Sequence, residues 1–412
     1  MQSVELLTIG TELLLGFTVD TNSAFLGQVL SGAGVRVVRR TSVGDRATEI
    51  RAAVDEALTR TGAVITTGGL GPTRDDISKH VVADLLGLPL EFRDDVWQAV
   101  LERYARFGRK PVESNRSQAM VPVGAVALRN EWGTAPGLWI ETGRGLVVML
   151  PGVPLEMRML TEREVLPRLA AKATGTVIRS ATLRTCGIPE STLAERIASI
   201  EDSLAPLSLA YLPSVTGVDL RLTSWDAEAD VAEAALRSGI ERLRGAATEW
   251  AYGEGNTDLA AVVIEQLRTS GRMLVVAESC TGGLLGARIT EVPGASDVFL
   301  GGMIAYHNRA KEEALSVPAE LIAEHGAVSE PVARAMVIGA VEGSGAPVGV
   351  SLTGIAGPSG GSEAKPVGTV WFGFSVDGEV DAVKSVFGGT RTEIRERAAQ
   401  GALLGLWRRM SP

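Results

Sequence analysis

Short apolar segments alternate with longer amphipathic segments through the N-terminal part of the chain. The apolar segments have the length and the β-branched content of buried strands, whereas the amphipathic segments carry apolar residues three or four positions apart, as helices do. An alternating order of strands and helices predicts a parallel sheet covered by helices. The predicted strands are Val4–Ile9, Val35–Arg40 and Ala63–Thr67, and the predicted helices are Asp20–Ser31, Thr48–Arg60 and Asp75–Leu86.

The pattern changes in the middle of the chain, between about residue 175 and residue 250. One strand and one helix are followed by two consecutive strands and a second helix, an order that predicts a small α+β module. A segment from Tyr252 to Thr257 has the glycine content of a linker. The predicted elements are Val177–Cys186, Glu190–Ser203, Ser208–Leu212, Val218–Trp225 and Ala227–Leu243.

Alternation of strands and helices returns in the last part of the chain and predicts a second α/β core. The predicted strands are Met273–Ala277, Phe299–Ala305, Val348–Leu352, Gly368–Phe374 and Ala382–Phe387, and the predicted helices are Asp258–Thr269, Thr281–Thr290, Asn308–Ser316, Glu330–Glu342 and Thr390–Arg408. With 412 residues, the chain exceeds the length that one hydrophobic core usually organises. We predict three domains, at residues 1–170, 174–252 and 253–412.

The net charge and the numbers of cysteines and histidines argue against several classes of function. The net charge of −9 argues against a general nucleic-acid-binding surface, which needs an excess of basic residues. The two cysteines, Cys186 and Cys280, fit a reducing compartment, and no segment has the pattern of a signal peptide or a membrane span. We therefore expect a cytoplasmic protein without a membrane partner. With three histidines, a His/Cys zinc site is disfavoured, so a metal would be held mainly by carboxylates.

A serine stands between an apolar strand and a helix in the last part of the chain. In the run Ala277–Gly283, Ser279 follows the predicted strand, and small residues then open the next helix. The main-chain amides of a helix N-terminus can stabilise an oxyanion, and Gly282 and Gly283 let a substrate approach the backbone closely. The same local pattern is also typical of residues, here Ser279 and Thr281, that only cap a helix.

A serine nucleophile needs a base, and the sequence offers few histidines for that role. Tyr306 and Lys311 stand five positions apart across a predicted strand-to-helix turn, and a lysine desolvated in a pocket can accept a proton. Cys280 is a rival nucleophile, although a free cysteine is often simply buried. His307 is more consistent with a structural position or with the rim of the site.

The C-terminal part of the chain resembles the CinA C-terminal family, the nicotinamide mononucleotide deamidases. Motifs of that family occur in order through nearly all of residues 255–410. The matching segments are Ala277–Gly283, Gly301–Tyr306, Asn308–Lys311, Leu352–Pro358, Lys365–Trp371 and Arg391–Arg395.

This resemblance implies hydrolysis of the nicotinamide amide to nicotinate mononucleotide and ammonia, without a cofactor. It implies that Ser279 is the nucleophile and that Tyr306 and Lys311 belong to its activating network. Arg391 or Arg395 is implied as the ligand of a substrate phosphate or carboxylate. The other expected substrate contacts in this domain are Thr281, Gly282, Gly283, Asn308, Thr353 and Gly354.

A second group of candidate binding residues follows the predicted strands of the N-terminal part. The glycine-rich loop Gly68–Thr73 precedes a predicted helix, and such a loop offers free backbone N–H groups to a phosphate. Asp75 and Asp76 at the helix start would repel a phosphate unless a cation lies between them, so the pattern predicts a divalent metal. The alternative is that both aspartates only complement the helix dipole. Because neighbours on a helix point about 100° apart, one aspartate should face the loop, and we predict that it is Asp76.

The sequence around these residues resembles that of the molybdopterin-binding fold of molybdenum-cofactor biosynthesis proteins. It resembles the N-terminal branch of the CinA family more closely. The matching segments are Gly10–Gly16, Asp20–Asn22, Gly68–Asp76, Asn130, Gly133–Gly137 and Leu150–Met157. The resemblance implies metal-dependent hydrolysis of ADP-ribose to AMP and ribose 5-phosphate. The expected substrate contacts are Gly10, Thr11, Glu12, Asn22, Gly68, Gly69, Gly71 and Thr73, and the expected metal ligands are Asp20, Asp45, Asp75 and Asp76.

The whole chain is interpreted as an α/β bifunctional hydrolase of pyridine-nucleotide recycling, with a molybdopterin-binding-like domain, a KH-like module and a deamidase domain. We expect small-molecule nucleotide substrates, a homodimer, and no direct contact with nucleic acid. The KH-like module lacks a clear Gly-x-x-Gly loop and is interpreted as a spacer or dimer element. Two alternatives stay open, namely a molybdopterin-binding protein and a non-enzymatic partner in competence or recombination.

Overall fold

The computed structural model of the protein describes residues 3–170 and 176–411. The fold divides into two compact units, Met1–Arg179 with Ser224–Ala235 and Ser180–Thr223 with Leu236–Pro412. None of the helices in the described part of the chain is long and apolar enough to cross a membrane.

Strands and helices alternate in the first unit up to residue 106, and several strands then follow one another. Its strands are β1 (Ser3–Ile9), β2 (Arg36–Val43), β3 (Ala63–Thr67), β4 (Leu90–Phe92), β5 (Met120–Pro122), β6 (Val126–Leu128), β7 (Gly137–Thr142) and β8 (Gly145–Leu150). Its helices are α1 (Thr11–Leu14), α2 (Thr21–Gly32), α3 (Ala47–Thr61), α4 (Ser78–Leu85), α5 (Asp94–Arg106), α6 (Pro154–Leu160) and α7 (Leu166–Ala170), with a 3-10 turn at Glu113–Ala119 and a π-helical turn at Thr161–Val165. The main sheet has the order β2-β1-β3-β8-β7-β6, and β4 pairs separately with β5.

The main sheet is parallel in its centre and antiparallel at one edge. Strands β2, β1, β3 and β8 run parallel, whereas β7 and β6 are antiparallel additions. The predicted parallel sheet is therefore confirmed for its centre, and the antiparallel edge was not predicted. Strands β7 and β8 are joined by a turn of only two residues between Thr142 and Gly145, and so short a connection links only antiparallel strands.

Helices cover both faces of this sheet, which is usual for parallel strands. Successive residues of β1 point to opposite faces, so Leu6 and Leu7 belong to two different cores. Leu7 shares a core with Val54 of α3 and Val82 of α4, and Leu6 shares one with Leu26 of α2. The carboxyl ends of β1, β2 and β3 consequently meet at one edge, where parallel sheets bind ligands.

Helix α4 begins at Ser78, three residues later than the sequence predicts. Asp75 and Asp76 lie in the preceding loop, because the Asp76 carboxylate accepts hydrogen bonds from the main-chain N–H and the hydroxyl of Thr73. Short polar side chains compete in this way with the hydrogen bonds of a helix. The prediction that two aspartates open the helix is wrong, although the Asp76 carboxylate does face the glycine-rich loop, against Gly71.

The middle of the chain folds as a KH-like module. Its elements are β9 (Thr176–Thr185), α8 (Glu190–Glu201), β10 (Ser208–Pro213), β11 (Val218–Glu228), α9 (Ala229–Ala246) and β12 (Ala251–Glu254). The sheet has the order β10-β11-β9-β12, and β10 pairs antiparallel with β11 as β12 does with β9. The predicted α+β order is confirmed, but Tyr252 belongs to β12 rather than to a linker.

The C-terminal domain has a five-stranded sheet in the order β14-β13-β15-β16-β17, of which the first three strands are parallel. The strands are β13 (Leu274–Glu278), β14 (Phe299–Ile304), β15 (Val348–Gly354), β16 (Thr369–Val376) and β17 (Glu379–Val386). The helices are α10 (Leu259–Ser270), α11 (Leu284–Thr290), α12 (Asn308–Leu315), α13 (Ala319–His325), α14 (Glu330–Ser344) and α15 (Arg391–Met410).

Two cores lie on opposite faces of this sheet. Val276 of β13 packs with α10, α11 and α15, whereas its neighbour Val275 packs with α12, α13 and α14. The predicted elements are confirmed with two exceptions: α13 was not predicted, and α11 begins at Leu284 rather than at Thr281. Residues 280–283 form a turn instead, and this turn follows Ser279 directly.

Candidate active sites

Ser279 stands at the start of a tight turn between β13 and α11. Its main-chain N–H donates to the Leu352 carbonyl of β15, and the turn continues through Gly283, whose φ of 94° favours glycine. The Glu278 side chain is 2% exposed and accepts hydrogen bonds from the N–H groups of Gly283, Leu285 and Gly286. A buried carboxylate therefore binds the first amides of α11 and fixes the shape of the turn.

Lys311 of α12 reaches the Ser279 side chain. Its Nζ lies 3.0 Å from Ser279 Oγ, 2.8 Å from the Ala305 carbonyl oxygen and 3.3 Å from the Tyr306 carbonyl oxygen. Ser279 is 7% exposed and Lys311 is 1% exposed, and burial lowers the pKa of Lys311 below its ordinary value of 10.5. The structure thus brings together the two residues that the sequence singled out as nucleophile and base.

Tyr306, the other residue predicted to activate Ser279, is 59% exposed. Its hydroxyl accepts a hydrogen bond from Arg391 Nη2, 2.9 Å away, while only its main-chain carbonyl meets Lys311. Arg391 also donates to the carbonyl of Gly357 in the loop after β15. Arg391 therefore joins the loops that follow β14 and β15, the two strands that flank β13.

Arg395 binds the turn that follows Ser279. Its Nε and Nη2 donate to the Thr281 carbonyl at 3.3 and 2.7 Å. The Thr281 hydroxyl is buried and has no hydrogen-bond partner in the described part of the chain. Cys280 is buried at the same turn, and burial raises the pKa of its thiol to about 11.

Thr353, Gly354 and Asn308, which were also predicted to contact the substrate, differ in their surroundings. Thr353 is buried and donates to the Ala327 carbonyl, whereas the backbone of Gly354 lies against the Cys280 sulfur. Asn308, the first residue of α12, has an exposed side chain. His307 precedes it and accepts from the Arg309 N–H through Nδ1, so it caps α12, as a structural position requires.

The predicted residues of the N-terminal site meet at the carboxyl ends of β1, β2 and β3. Thr11 donates to Asp45 through its N–H at 2.8 Å and its hydroxyl at 2.9 Å. Asn22 Nδ2 donates to Thr67 Oγ1 and to the Gly152 carbonyl, and its Oδ1 is buried without a partner among the described residues. Thr11 of α1 is therefore linked to the loop after β2, and Asn22 of α2 to the end of β3 and to the loop after β8.

The glycine-rich loop folds tightly over the first turn of α4. A Cβ on Gly69 would overlap the Ser78 hydroxyl, so a side chain at this position is excluded by close approach. Ser78 Oγ is fully buried and has no hydrogen-bond partner in residues 3–170 or 176–411. At the other end of the site, the carboxylate of Glu12 lies against Gly10.

The four predicted metal ligands do not form a cluster. Asp20 accepts from the Ser23 N–H as the N-cap of α2, Asp45 binds Thr11, and Asp76 binds Thr73. Within the described residues, no group of three or more His, Cys, Asp or Glu side chains could hold a metal ion. Among residues 3–170 and 176–411, the carboxylates therefore do not fit a divalent ion held by the protein alone.

Lys79, near this site, was not predicted from the sequence, whereas Asn130 and Glu156 belong to segments that the family resemblance includes. Lys79 follows Ser78 and is buried, and Glu156 of α6 accepts from Asn130 Nδ2, which is 2.6 Å away. Burial raises the pKa of Glu156. A cavity of about 260 Å³ in the same unit is lined by residues that include Glu102, Asn130 and Gly133. No local pattern in the sequence marks Lys79 as a buried residue.

Models of three protein families match consecutive parts of the chain. "Probable molybdopterin binding domain" matches residues 5–171, "Damage-inducible protein CinA KH domain" matches 180–253, and "CinA C-terminal domain" matches 256–410. Among solved structures, a CinA superfamily protein from Klebsiella pneumoniae is 32% identical, with a TM-score of 0.36. That match covers 37% of this chain and 95% of the other.

Relatives of similar length match almost the whole chain. A CinA-like protein of Gemmatimonas aurantiaca is 51% identical over 404 residues, which cover 97% of this chain and 94% of the relative. A putative competence-damage inducible protein of Caldicellulosiruptor bescii is 41% identical over 399 residues, which cover 97% of both chains. The chain belongs to the CinA family.

Proposed function

We propose that the C-terminal domain hydrolyses the carboxamide of nicotinamide mononucleotide to nicotinate mononucleotide and ammonia. The contact between Ser279 Oγ and Lys311 Nζ carries this proposal, because a buried amine lies beside a hydroxyl at the end of a parallel strand. The resemblance of this domain to nicotinamide mononucleotide deamidases supplies the substrate class.

The surroundings of Lys311 suit a general base. A neutral amine has two N–H donors and one lone pair, and the carbonyl oxygens of Ala305 and Tyr306 account for both donors. The lone pair is then free to accept the proton of the Ser279 hydroxyl. Burial favours the neutral amine because it lowers the pKa of Lys311.

In the proposed reaction, Lys311 takes the proton of the Ser279 hydroxyl while the serine oxygen attacks the amide carbon. Charge develops on the carbonyl oxygen, and we assign the main-chain N–H groups of Cys280 and Thr281 as its donors, since Glu278 binds the first amides of α11. The Lys311 ammonium returns the proton to the amide nitrogen, the C–N bond breaks, and ammonia leaves. Water, deprotonated by Lys311, then hydrolyses the serine ester.

Arg391 and Arg395 are the groups we assign to the phosphate of the mononucleotide. A guanidinium has five N–H donors, and the contacts of Arg391 with Tyr306 and Gly357 use two of them. Arg395 directs Nε and Nη2 to the Thr281 carbonyl and keeps further donors. Both arginines can therefore bind an anion without releasing the loops that they hold.

The N-terminal domain is proposed to hydrolyse ADP-ribose to AMP and ribose 5-phosphate. The supporting observation is the glycine-rich loop, which lies against the first turn of α4 with the unpartnered Ser78 hydroxyl beneath it. Backbone N–H groups in such a loop can bind a pyrophosphate. A molybdopterin also carries a phosphate, so binding of a pterin ligand is the competing function for this domain.

A product assay tests both proposals. The purified full-length protein is incubated with nicotinamide mononucleotide and, separately, with ADP-ribose, each with and without EDTA. We expect equal amounts of ammonia and nicotinate mononucleotide from the first substrate, and AMP with ribose 5-phosphate from the second. Release of free nicotinamide, or co-purification of a pterin without ADP-ribose turnover, would contradict the corresponding proposal.

A further inference from the structure

A buried lysine lies at the start of α4, directly after the glycine-rich loop. Lys79 is 6% exposed, and its Nζ donates to the Ser117 carbonyl at 2.5 Å. The preceding residue, Ser78, has the buried and unpartnered hydroxyl that packs against Gly69. The first turn of α4 therefore places the Ser78 hydroxyl against the loop and directs the adjacent Lys79 to the Ser117 carbonyl.

Lys79 forms no ion pair with a described residue. Within the described residues, no carboxylate lies within 4.0 Å of its Nζ, and the nearby Asp76 carboxylate is bound by Thr73. An ammonium has three N–H donors, of which the Ser117 carbonyl accepts one. Burial lowers the pKa of Lys79 to about 8, and Asp76 opposes that shift, so the group stays mainly protonated at pH 7. A buried ammonium of this kind is costly without an anionic partner.

Lys79 is connected to the loop that contains Gly133 and Thr134 through the segment at Ser117. Its Nζ donates to the Ser117 carbonyl, and Gln118, the neighbour of Ser117, donates to Thr134 Oγ1 at 3.0 Å. Thr134 lines the cavity of about 260 Å³. The lysine therefore follows the glycine-rich loop in the chain and contacts the segment that is hydrogen-bonded to this second loop.

The charges around this site require a positive group for any phosphate ligand. Asp75, Asp76 and Glu156 are acidic, and the carboxylates of this domain do not cluster into a metal site in the described part of the chain. We propose that Lys79 supplies the positive charge that binds a phosphate group of a nucleotide at the glycine-rich loop, in place of a metal held by the protein's carboxylates. The inference rests on the nucleotide-binding role proposed above for this domain.

The test is calorimetric binding to the full-length protein in EDTA, with ADP-ribose and inorganic pyrophosphate as probes. We compare Lys79→Met with the matched control Lys110→Met, which removes an exposed lysine of the same domain. Loss of a charged hydrogen bond should weaken binding of both probes by roughly tenfold to a hundredfold in Lys79→Met only. Thermal unfolding and ammonia release from nicotinamide mononucleotide verify that each variant is folded. Should Lys79→Met not fold, Lys79→Gln replaces it.

Two results would overturn the inference. One is binding by Lys79→Met as tight as binding by Lys110→Met. The other is wild-type protein that binds either probe only after Mg²⁺ is added, because a metal would then supply the charge. The same experiment distinguishes this inference from the proposed reaction. If pyrophosphate binding depends on Lys79 but ADP-ribose is not turned over, the hydrolase function is refuted and the assigned role of Lys79 is supported.

Discussion

At the scale of single residues, the account depends on which side chain attacks the amide. Ser279 contacts a buried amine, whereas burial raises the pKa of the neighbouring Cys280 thiol to about 11. At neutral pH that thiol is protonated and is a poor nucleophile. We expect Ser279→Ala to abolish ammonia release and Cys280→Ala to retain most of it, as measured by coupled ammonia assay. Activity lost in the cysteine variant and kept in the serine variant would reverse the assignment.

Lys311 gives a prediction about kcat and KM. A general base contributes roughly two to four orders of magnitude in rate, so Lys311→Met should lower kcat by that factor and change KM little. Steady-state kinetics with nicotinamide mononucleotide provide the measurement. A fall in kcat of less than about tenfold would show that Lys311 only positions Ser279.

The pH dependence follows from the same residue. The base works only as the neutral amine, so kcat/KM should rise with pH through the pKa of Lys311 in the free enzyme. Because burial lowers that pKa, the rise should have its midpoint below 10.5, the ordinary value for lysine. A pH–rate profile of the wild type measures the midpoint. A rise that persists unchanged in the residual activity of Lys311→Met would assign it to another group.

At the scale of elements, the turn between β13 and α11 depends on a residue with no predicted role. The buried Glu278 carboxylate accepts three amide hydrogen bonds. In Glu278→Gln one acceptor oxygen becomes an N–H₂ donor that faces these amides, which should cost about 1–3 kcal/mol of unfolding free energy. Urea denaturation measures the loss, and Glu291→Gln, which changes an exposed glutamate just after α11, is the matched control. Equal stability of both variants would contradict the role of Glu278.

Most elements could be predicted from the sequence because apolar periodicity follows burial on both sheets. The starts of α4 and α11 could not be predicted, because local hydrogen bonds determine where these helices begin. Asp76 binds Thr73, and Glu278 binds the amides of α11. The antiparallel edge of the first sheet was not predicted, because β7 and β8 follow each other through a two-residue turn and so depart from the alternation of strands and helices. At the C-terminal site, Ser279 and Lys311 were predicted, but the buried Lys79 depends on tertiary packing that no local pattern reveals.

At the scale of the whole molecule, the two candidate sites belong to different compact units. The proposed amide hydrolysis uses only a serine and a lysine, so it should survive EDTA. Ser279→Ala should end ammonia release and leave ADP-ribose turnover unchanged. Parallel assays of both substrates provide the measurement. Loss of both reactions in this folded variant, or equal inhibition of both by EDTA, would contradict the assignment of two independent sites.

The central claim is that amide hydrolysis passes through an ester on Ser279. Rapid quenching of the protein during turnover of nicotinamide mononucleotide, followed by peptide mass spectrometry, tests it most directly. We predict an adduct with the mass of the acyl nucleotide on the peptide that contains Ser279, absent from Ser279→Ala. An adduct on Cys280 would contradict the account, as would turnover by Ser279→Ala at the wild-type rate.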